Sequence, residues 1–247
     1  MQINHYVINL DRSTDRRAAI EADAERAGLR LIRVPAVDGK SVPVAERRQL
    51  DEAGFRKAHG KRPLDGEFGC YASHLLALDR FLASSADAAL ILEDDVRFKP
   101  HFAERLAAIA SVPDFDLVKL AHHRRPSIRT LRRIEGHRLG RAVFGPTGSS
   151  AAYLVTRAGA ERLRGSLDPM RLPYDVALER AWASRVRILH AVPDLVTFNA
   201  ATSKSLTMDG QTYASRKLPP WRRLTTLRFR ALDLLRRLAY AAGIGGR

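Results

Sequence analysis

One stretch, Ala88 to Pro100 (AALILEDDVRFKP), limits what this chain can fold into more than any other. Four consecutive apolar residues, Ala89 to Leu92, read as a short strand covered on both faces, the habit of strands in a buried parallel sheet. The run stops in three adjacent carboxylates, Glu93, Asp94 and Asp95. Like charges in succession repel and are not buried without a partner, so this strand end calls for a cation. In open α/β sheets, ligands gather just beyond the carboxyl ends of strands, where the cluster falls. Two readings follow: a divalent metal site of oxygen ligands, or a solvated acidic turn ahead of a helix opening at Pro100. Asp95 stands five residues before Pro100, too early to cap that helix, which favours the metal.

The formal net charge of +15 points to anionic partners: phosphates, nucleic acid or an acidic membrane surface. A lone cysteine, Cys70, excludes an internal disulfide framework and suits a reducing compartment. At 247 residues and 45% hydrophobic, the chain suffices for one large domain, or a domain with a tail. No apolar run approaches the roughly 18 residues of a membrane span, and the start, MQINHYVINLDRSTDRR, lacks a signal-peptide pattern. A cytoplasmic protein is expected.

Along the chain, Tyr6 to Leu10 reads as a strand and Ser13 as a helix cap. The helix runs to Ala27 and stops at Gly28, and Leu29 to Val34 forms a second strand. This βαβ unit predicts phosphate or nucleotide chemistry at its first turn, where Arg12, Arg16 and Arg17 stand, although no glycine-rich phosphate loop is present. Val37 to Lys61 carries only weak helical signals. Gly66 to Ala83 is a helix with Leu75, Leu78 and Leu82 on one face, and it carries Ser73 and His74. His101 to Ala110 is a further helix, and Asp116 to Ala121 and Ala151 to Val155 are strands. His122 to Arg141, with seven arginines against one glutamate, reads as a loop, solvated or holding an anionic acceptor. A helix follows from Arg157 to Arg164; Leu172 to Asp175 introduces another, with Asp175 either its cap or an active-site carboxylate, and Arg187 to Val192 is the last strand, leading to a polar loop, Asn199 to Gln211. From Arg216 onward nine basic residues stand against one acidic. On a helix, Trp221, Leu224, Leu227, Ala231, Leu234, Leu235 and Leu238 share one face, with Arg222, Arg223, Arg230, Arg236 and Arg237 mostly opposite. That pattern fits a helix lying in an anionic membrane surface, or one packed on the domain.

Six segments together resemble glycosyltransferase family 25, the lipooligosaccharide glycosyltransferases and the related collagen galactosyltransferase domains. They are INLDRSTDRR near the start, RVPAVDGK ending at Lys40, GEFGCYASH ending at His74, ILEDDVRF ending at Phe98, GSSAAYLVTRAGAERL ending at Leu163 and LPYDVALE ending at Glu179. They occur in the family's order over residues 3 to 200. Ser203 and Ser205 match the family's serine-containing end only loosely.

The resemblance implies an α/β fold of GT-A type, a Rossmann-like mixed sheet flanked by helices, over residues 1–215, with residues 216–247 as a basic amphipathic tail. It implies an inverting transfer of galactose from UDP-galactose, with Mn²⁺ or Mg²⁺ held by Glu93 and Asp95. Asp175 would be the catalytic base, and Asn9, Arg12, Arg17, Ser73, His74 and Asp94 would line the donor site. The expected partners are a nucleotide-sugar donor, a glycan or lipid-linked oligosaccharide of lipopolysaccharide type as acceptor, and the cytoplasmic face of the inner membrane. The competing readings are a nucleic-acid-binding protein, which the scarcity of aromatics among the arginines disfavours, and a catalytically inactive scaffold, which the intact carboxylates disfavour.

Overall fold

The computed structural model describes residues 1–199 and 224–244. Its centre is an eight-stranded sheet. The βαβ unit forms from β1 (Ile3–Asn9), α1 (Thr14–Arg26) and β2 (Leu31–Pro35), with β1 and β2 parallel. Strand β3 (Ala88–Glu93) lies parallel on the other flank of β1, in the register Ile8 to Glu93. Successive strands thus leave β1 in opposite directions. The sheet's topological switch point lies between β1 and β3, where a ligand crevice opens in such folds.

On the far side β3 meets β8 (Ala152–Thr156), and that pairing is antiparallel, so the sheet is mixed rather than purely parallel. Next come β5 (Leu117–Lys119), β9 (Ile188–Val192), β7 (His137–Ala142) and β6 (Ile128–Ile134) at the edge. A separate two-stranded ribbon pairs β4 (Val96–Phe98) with β10 (Val196–Phe198) just past the acidic turn.

Both faces of β3 are covered, as its apolar run requires. Ala89 and Ile91 pack into one core with Leu75, Leu78 and Phe81 of α3 (Asp65–Leu82) and with Leu163 of α5 (Arg157–Leu167). Ala88, Leu90 and Leu92 pack into the other with Phe102, Leu106 and Ile109 of α4 (Phe102–Ala110). Each buried Leu or Ile of this kind contributes about 1.5–3 kcal/mol. With both faces held, β3 is a rigid base for the carboxylates at its end. Helix α4 starts at Phe102 behind a left-handed His101 rather than at Pro100.

The segment 37–40 lies directly on α3. A Cβ on Gly69 would stand 2.6 Å from the carbonyl oxygen of Val37, so only glycine admits this approach. The weakly helical region before it contains α2 (Glu52–His59), capped by the Asp51 side chain, which accepts from Gly54 N–H at 2.8 Å.

Two readings of the basic segments change. Residues 122–141 are not simply a loop: most form the β6–β7 hairpin, turned through Glu135 (φ 44°) and Gly136 (φ 74°). Two residues with positive φ are what a tight hairpin turn needs, and exposed arginines on an edge strand discourage pairing with another chain. In the tail, α8 (Leu224–Ala242) follows α6 (Tyr174–Leu178) and α7 (Ala181–Ser184) in the chain and packs on the domain with the face opposite to its leucines. Thr226, Arg237 and Ala241 are buried. Asp233 accepts from Arg180 at 2.8 Å, and the Tyr240 hydroxyl donates to Ile188 O at 3.1 Å. Leu224, Leu227, Leu234 and Leu235 face outward, 72%, 59%, 42% and 62% exposed. Trp221, Arg222, Arg223, Ser203 and Ser205 lie outside the described residues, as does the polar loop beyond Asn199. No described helix is long and apolar enough to cross a membrane.

Candidate active site

Two clefts meet at the end of β3 and share Glu93 and Cys70. The smaller, about 100 Å³, is lined by Arg12, Arg16, the 37–40 segment, Ser73, His74 and Asp94. The larger, about 1000 Å³, is lined by Asp95, Asp175 and the 145–151 segment, among others. The three carboxylates that end the strand are therefore divided between two spaces.

Asp94 turns toward the smaller cleft, where it accepts from Asn9 Nδ2 at 2.7 Å and Arg16 Nη1 at 3.1 Å. Burial still raises its pKa against those bonds. Asn9 is buried and also donates to Ser13 O at 3.0 Å, so it joins the ends of β1 and β3 and acts by holding Asp94. Arg12 lines the cleft and is ion-paired with Asp38. Arg17 does not belong there. Its Nε donates to Glu21 one turn along the exposed side of α1 at 2.7 Å, and it lines neither cleft. Arg16, one residue earlier, takes the place expected of it, because a helix turns successive side chains about 100° apart.

Glu93 sits between the clefts. Burial works against its ionisation, but hydrogen bonds from His74 and Ser150 and the nearby imidazole outweigh it, and its carboxyl stays below the usual range. Ser150 Oγ donates to Oε1 at 2.6 Å, and His74 Nε2 lies 3.3 Å from the same oxygen. His74 is fully buried, with Nδ1 3.1 Å from the Tyr153 hydroxyl and its ring stacked on Tyr174 at 4.1 Å. It orients Glu93 rather than facing a ligand. Ser73 is likewise committed: its hydroxyl donates to Gly69 O at 2.6 Å and accepts from Val37 N–H at 2.8 Å, fixing the cleft wall to α3.

Asp95 and Asp175 are the carboxylates of the larger cleft. Burial, then the charge of Glu93, pushes Asp95 up to about 7. Its Oδ1 is buried with no hydrogen-bond partner among the described residues. Asp175 is raised too, chiefly by burial, with Lys119 pulling the other way. It does not cap α6, whose N-cap position is Pro173, and among the described residues it accepts from the neighbouring Val176 N–H at 2.9 Å. Among the described residues, Cys70, His74 and Glu93 offer ligand atoms within 4.8 Å of one another. That set is less suited to a cation than the carboxylates. Both nitrogens of His74 are engaged, and burial, then Glu93 and Asp175, pushes the Cys70 thiol well up, away from the thiolate a metal needs.

Behind this cleft lies a buried ion cluster that sequence reading missed. Glu179 accepts from Lys119 Nζ at 2.6 Å, Thr147 N at 3.0 Å and Arg237 Nη1 at 3.1 Å. Burial opposes its charge, but Lys119, then His190 and Arg237, hold its carboxyl far below the usual range. The available signal was Lys119, a charge inside the apolar strand DLVKLA, which demands a buried partner.

Fold and site together define an α/β protein with an acidic ligand cleft at its switch point. Comparison with known sequences gives the family. The model of Glycosyltransferase family 25 (LPS biosynthesis protein) matches residues 2–178, and the chain belongs to that family. A Glycosyltransferase 25 family member of Aedes aegypti is 29% identical over 66% of this chain and 28% of its own length. Human Procollagen galactosyltransferase 2 is 32% identical over 41% of this chain and 17% of its own. The human Inactive glycosyltransferase 25 family member 3 is 32% identical over 69% and 30%. The chain thus matches under a third of the length of each of these relatives. Among solved structures, a glycosyltransferase involved in the glycosylation of the major capsid of PBCV-1 is similar with a TM-score of 0.40 and 12% identity, over 77% of this chain and 81% of that one.

Proposed function

We propose that this chain is an inverting glycosyltransferase that moves a hexose, galactose from UDP-galactose, onto a glycan acceptor of lipopolysaccharide or lipooligosaccharide type. The observation that carries the reading is the meeting of Glu93, Asp95 and Asp175 at one cleft beyond the switch point, with Asp95 Oδ1 buried and unpartnered. A buried carboxylate oxygen without a donor suits a hard divalent cation, Mn²⁺ or Mg²⁺, with Glu93 and Asp95 as its holders. Such an ion would neutralise charge developing on the departing diphosphate.

The chain's own residues do the rest. His74 and Ser150 keep Glu93 ionised and oriented. Arg12 and Arg16 offer guanidinium groups to the nucleotide from the smaller cleft. Asp175, in the same cleft as the reacting carboxylates, accepts the proton of the acceptor hydroxyl as it attacks the sugar carbon. Its pKa, raised chiefly by burial, makes it a stronger base than a solvated aspartate. The outward leucines of α8 and the exposed Arg228 and Arg236 beside them would seat the protein on an anionic membrane, the cytoplasmic face of the inner membrane, where lipid-linked acceptors reside.

The test is a panel of UDP- and GDP-sugars assayed for hydrolysis and for transfer to a deacylated oligosaccharide. Turnover strongest with UDP-galactose supports the reading; turnover with none, in the presence of Mn²⁺ or Mg²⁺, refutes it.

A further inference from the structure

The larger cleft carries a second patch of opposite sign. Lys61 from beyond α2, Arg124 from the approach to the β6–β7 hairpin, and Arg230 and Arg237 from α8 all line it. Two acids of this region are already engaged. Asp233 is paired with Arg180, and Glu179 is shared by Lys119, Thr147 and Arg237. Arg237 is 3% exposed, yet its Nη2 has no hydrogen-bond partner among the described residues. His59, also in the lining, is lowered to about 4 chiefly by burial and then by the charges of Lys61 and Arg230.

Part of the patch comes from outside the family match, which ends at residue 178: Arg230 and Arg237 lie beyond it, whereas Arg124, like Glu93, Asp95 and Asp175, lies within it. Guanidinium groups lining a partly desolvated cleft attract an anion and match phosphate and carboxylate oxygens in pairs. We infer that the patch formed by Arg124, Arg230 and Arg237 binds an anionic group, a phosphate monoester or a carboxylate, carried on a sugar of the acceptor. The enzyme's acceptor is then an acidic glycan rather than a neutral one. This inference rests on the transfer reading above, but the site can be tested without turnover.

Calorimetric titration of the full-length protein with glucose 6-phosphate, glucose and UDP, repeated on Arg230→Gln and Arg124→Gln, provides the test. Both arginines are exposed, so neither variant threatens the fold. The wild type should bind glucose 6-phosphate at least tenfold more tightly than glucose. Each variant should lose most of that preference while its UDP affinity stays within twofold of wild type, and added salt should weaken only the phosphorylated sugar's advantage. Equal binding of the two sugars by the wild type overturns the inference. So does a matching loss of UDP affinity in the variants, which would assign the patch to the donor's diphosphate. A protein that shows this preference but transfers no sugar would contradict the proposed function and leave the site standing.

Discussion

Asp175 and Asp95 occupy one cleft, and burial gives them different tasks. Asp175 has no cation bonded to it and a raised pKa, which suits a base. Asp175→Asn should reduce transfer by about 10² with UDP affinity unchanged, measured by initial rates and a binding titration. The acid limb of the wild-type rate should lie above the ordinary aspartate range, because the base works only when ionised and its pKa is raised. Asp95, raised to about 7, carries a consequence for stability. A carboxyl that is harder to ionise when folded penalises the folded state as pH rises above its unfolded value, most fully beyond about 7. Asp95→Asn should therefore raise the melting temperature at pH 8 in EDTA, and more than at pH 4, even as it removes activity; an unchanged or lower value at pH 8 contradicts that. The acidic triplet was legible because three adjacent charges at a strand end have few physical explanations. The roles of His74, Ser73 and Asn9 were not, since a side chain facing a ligand and one holding its neighbour look alike in sequence. Arg16 and Arg17 show the same limit, as only the helix phase separates them.

At the scale of elements, β1, α1, β2, α3 and β3 followed from apolar runs and glycine stops, whereas the hairpin and α8 did not declare themselves fully. In β6, arginines on an exposed edge hide the alternation that marks a strand. In α8, the leucine stripe suggested a face for a membrane surface or for the domain, and the helix turns Thr226, Asp233 and Arg237 inward, where Arg180 and Glu179 offer partners. Pairing with a buried carboxylate outweighed the burial of surface leucines at that interface. Ending the chain at residue 223 should thus unsettle the domain itself. Loss of a partner from a buried ion cluster costs about 3–5 kcal/mol, and at roughly 2–4 °C per kcal/mol for a domain this size the melting temperature should fall by about 10 °C. A truncated protein as stable as the whole would show that α8 is not part of the fold.

For the whole molecule, part of the charge of +15 lies on the β6–β7 hairpin and α8, most of whose arginines are exposed. The outward leucines make a specific claim possible. Leu227→Ser with Leu235→Ser should release the protein from anionic vesicles in a sedimentation assay without lowering its melting temperature, since both residues are exposed. Retained binding would assign any vesicle affinity to charge alone. The central claim, that Glu93 and Asp95 bind a sugar nucleotide through a divalent cation, is tested most directly by titrating UDP into the protein with Mn²⁺, with EDTA, and into Asp95→Asn with Mn²⁺. UDP should bind in Mn²⁺ and lose at least tenfold in affinity in EDTA and in the variant. Equal affinity in all three would contradict it.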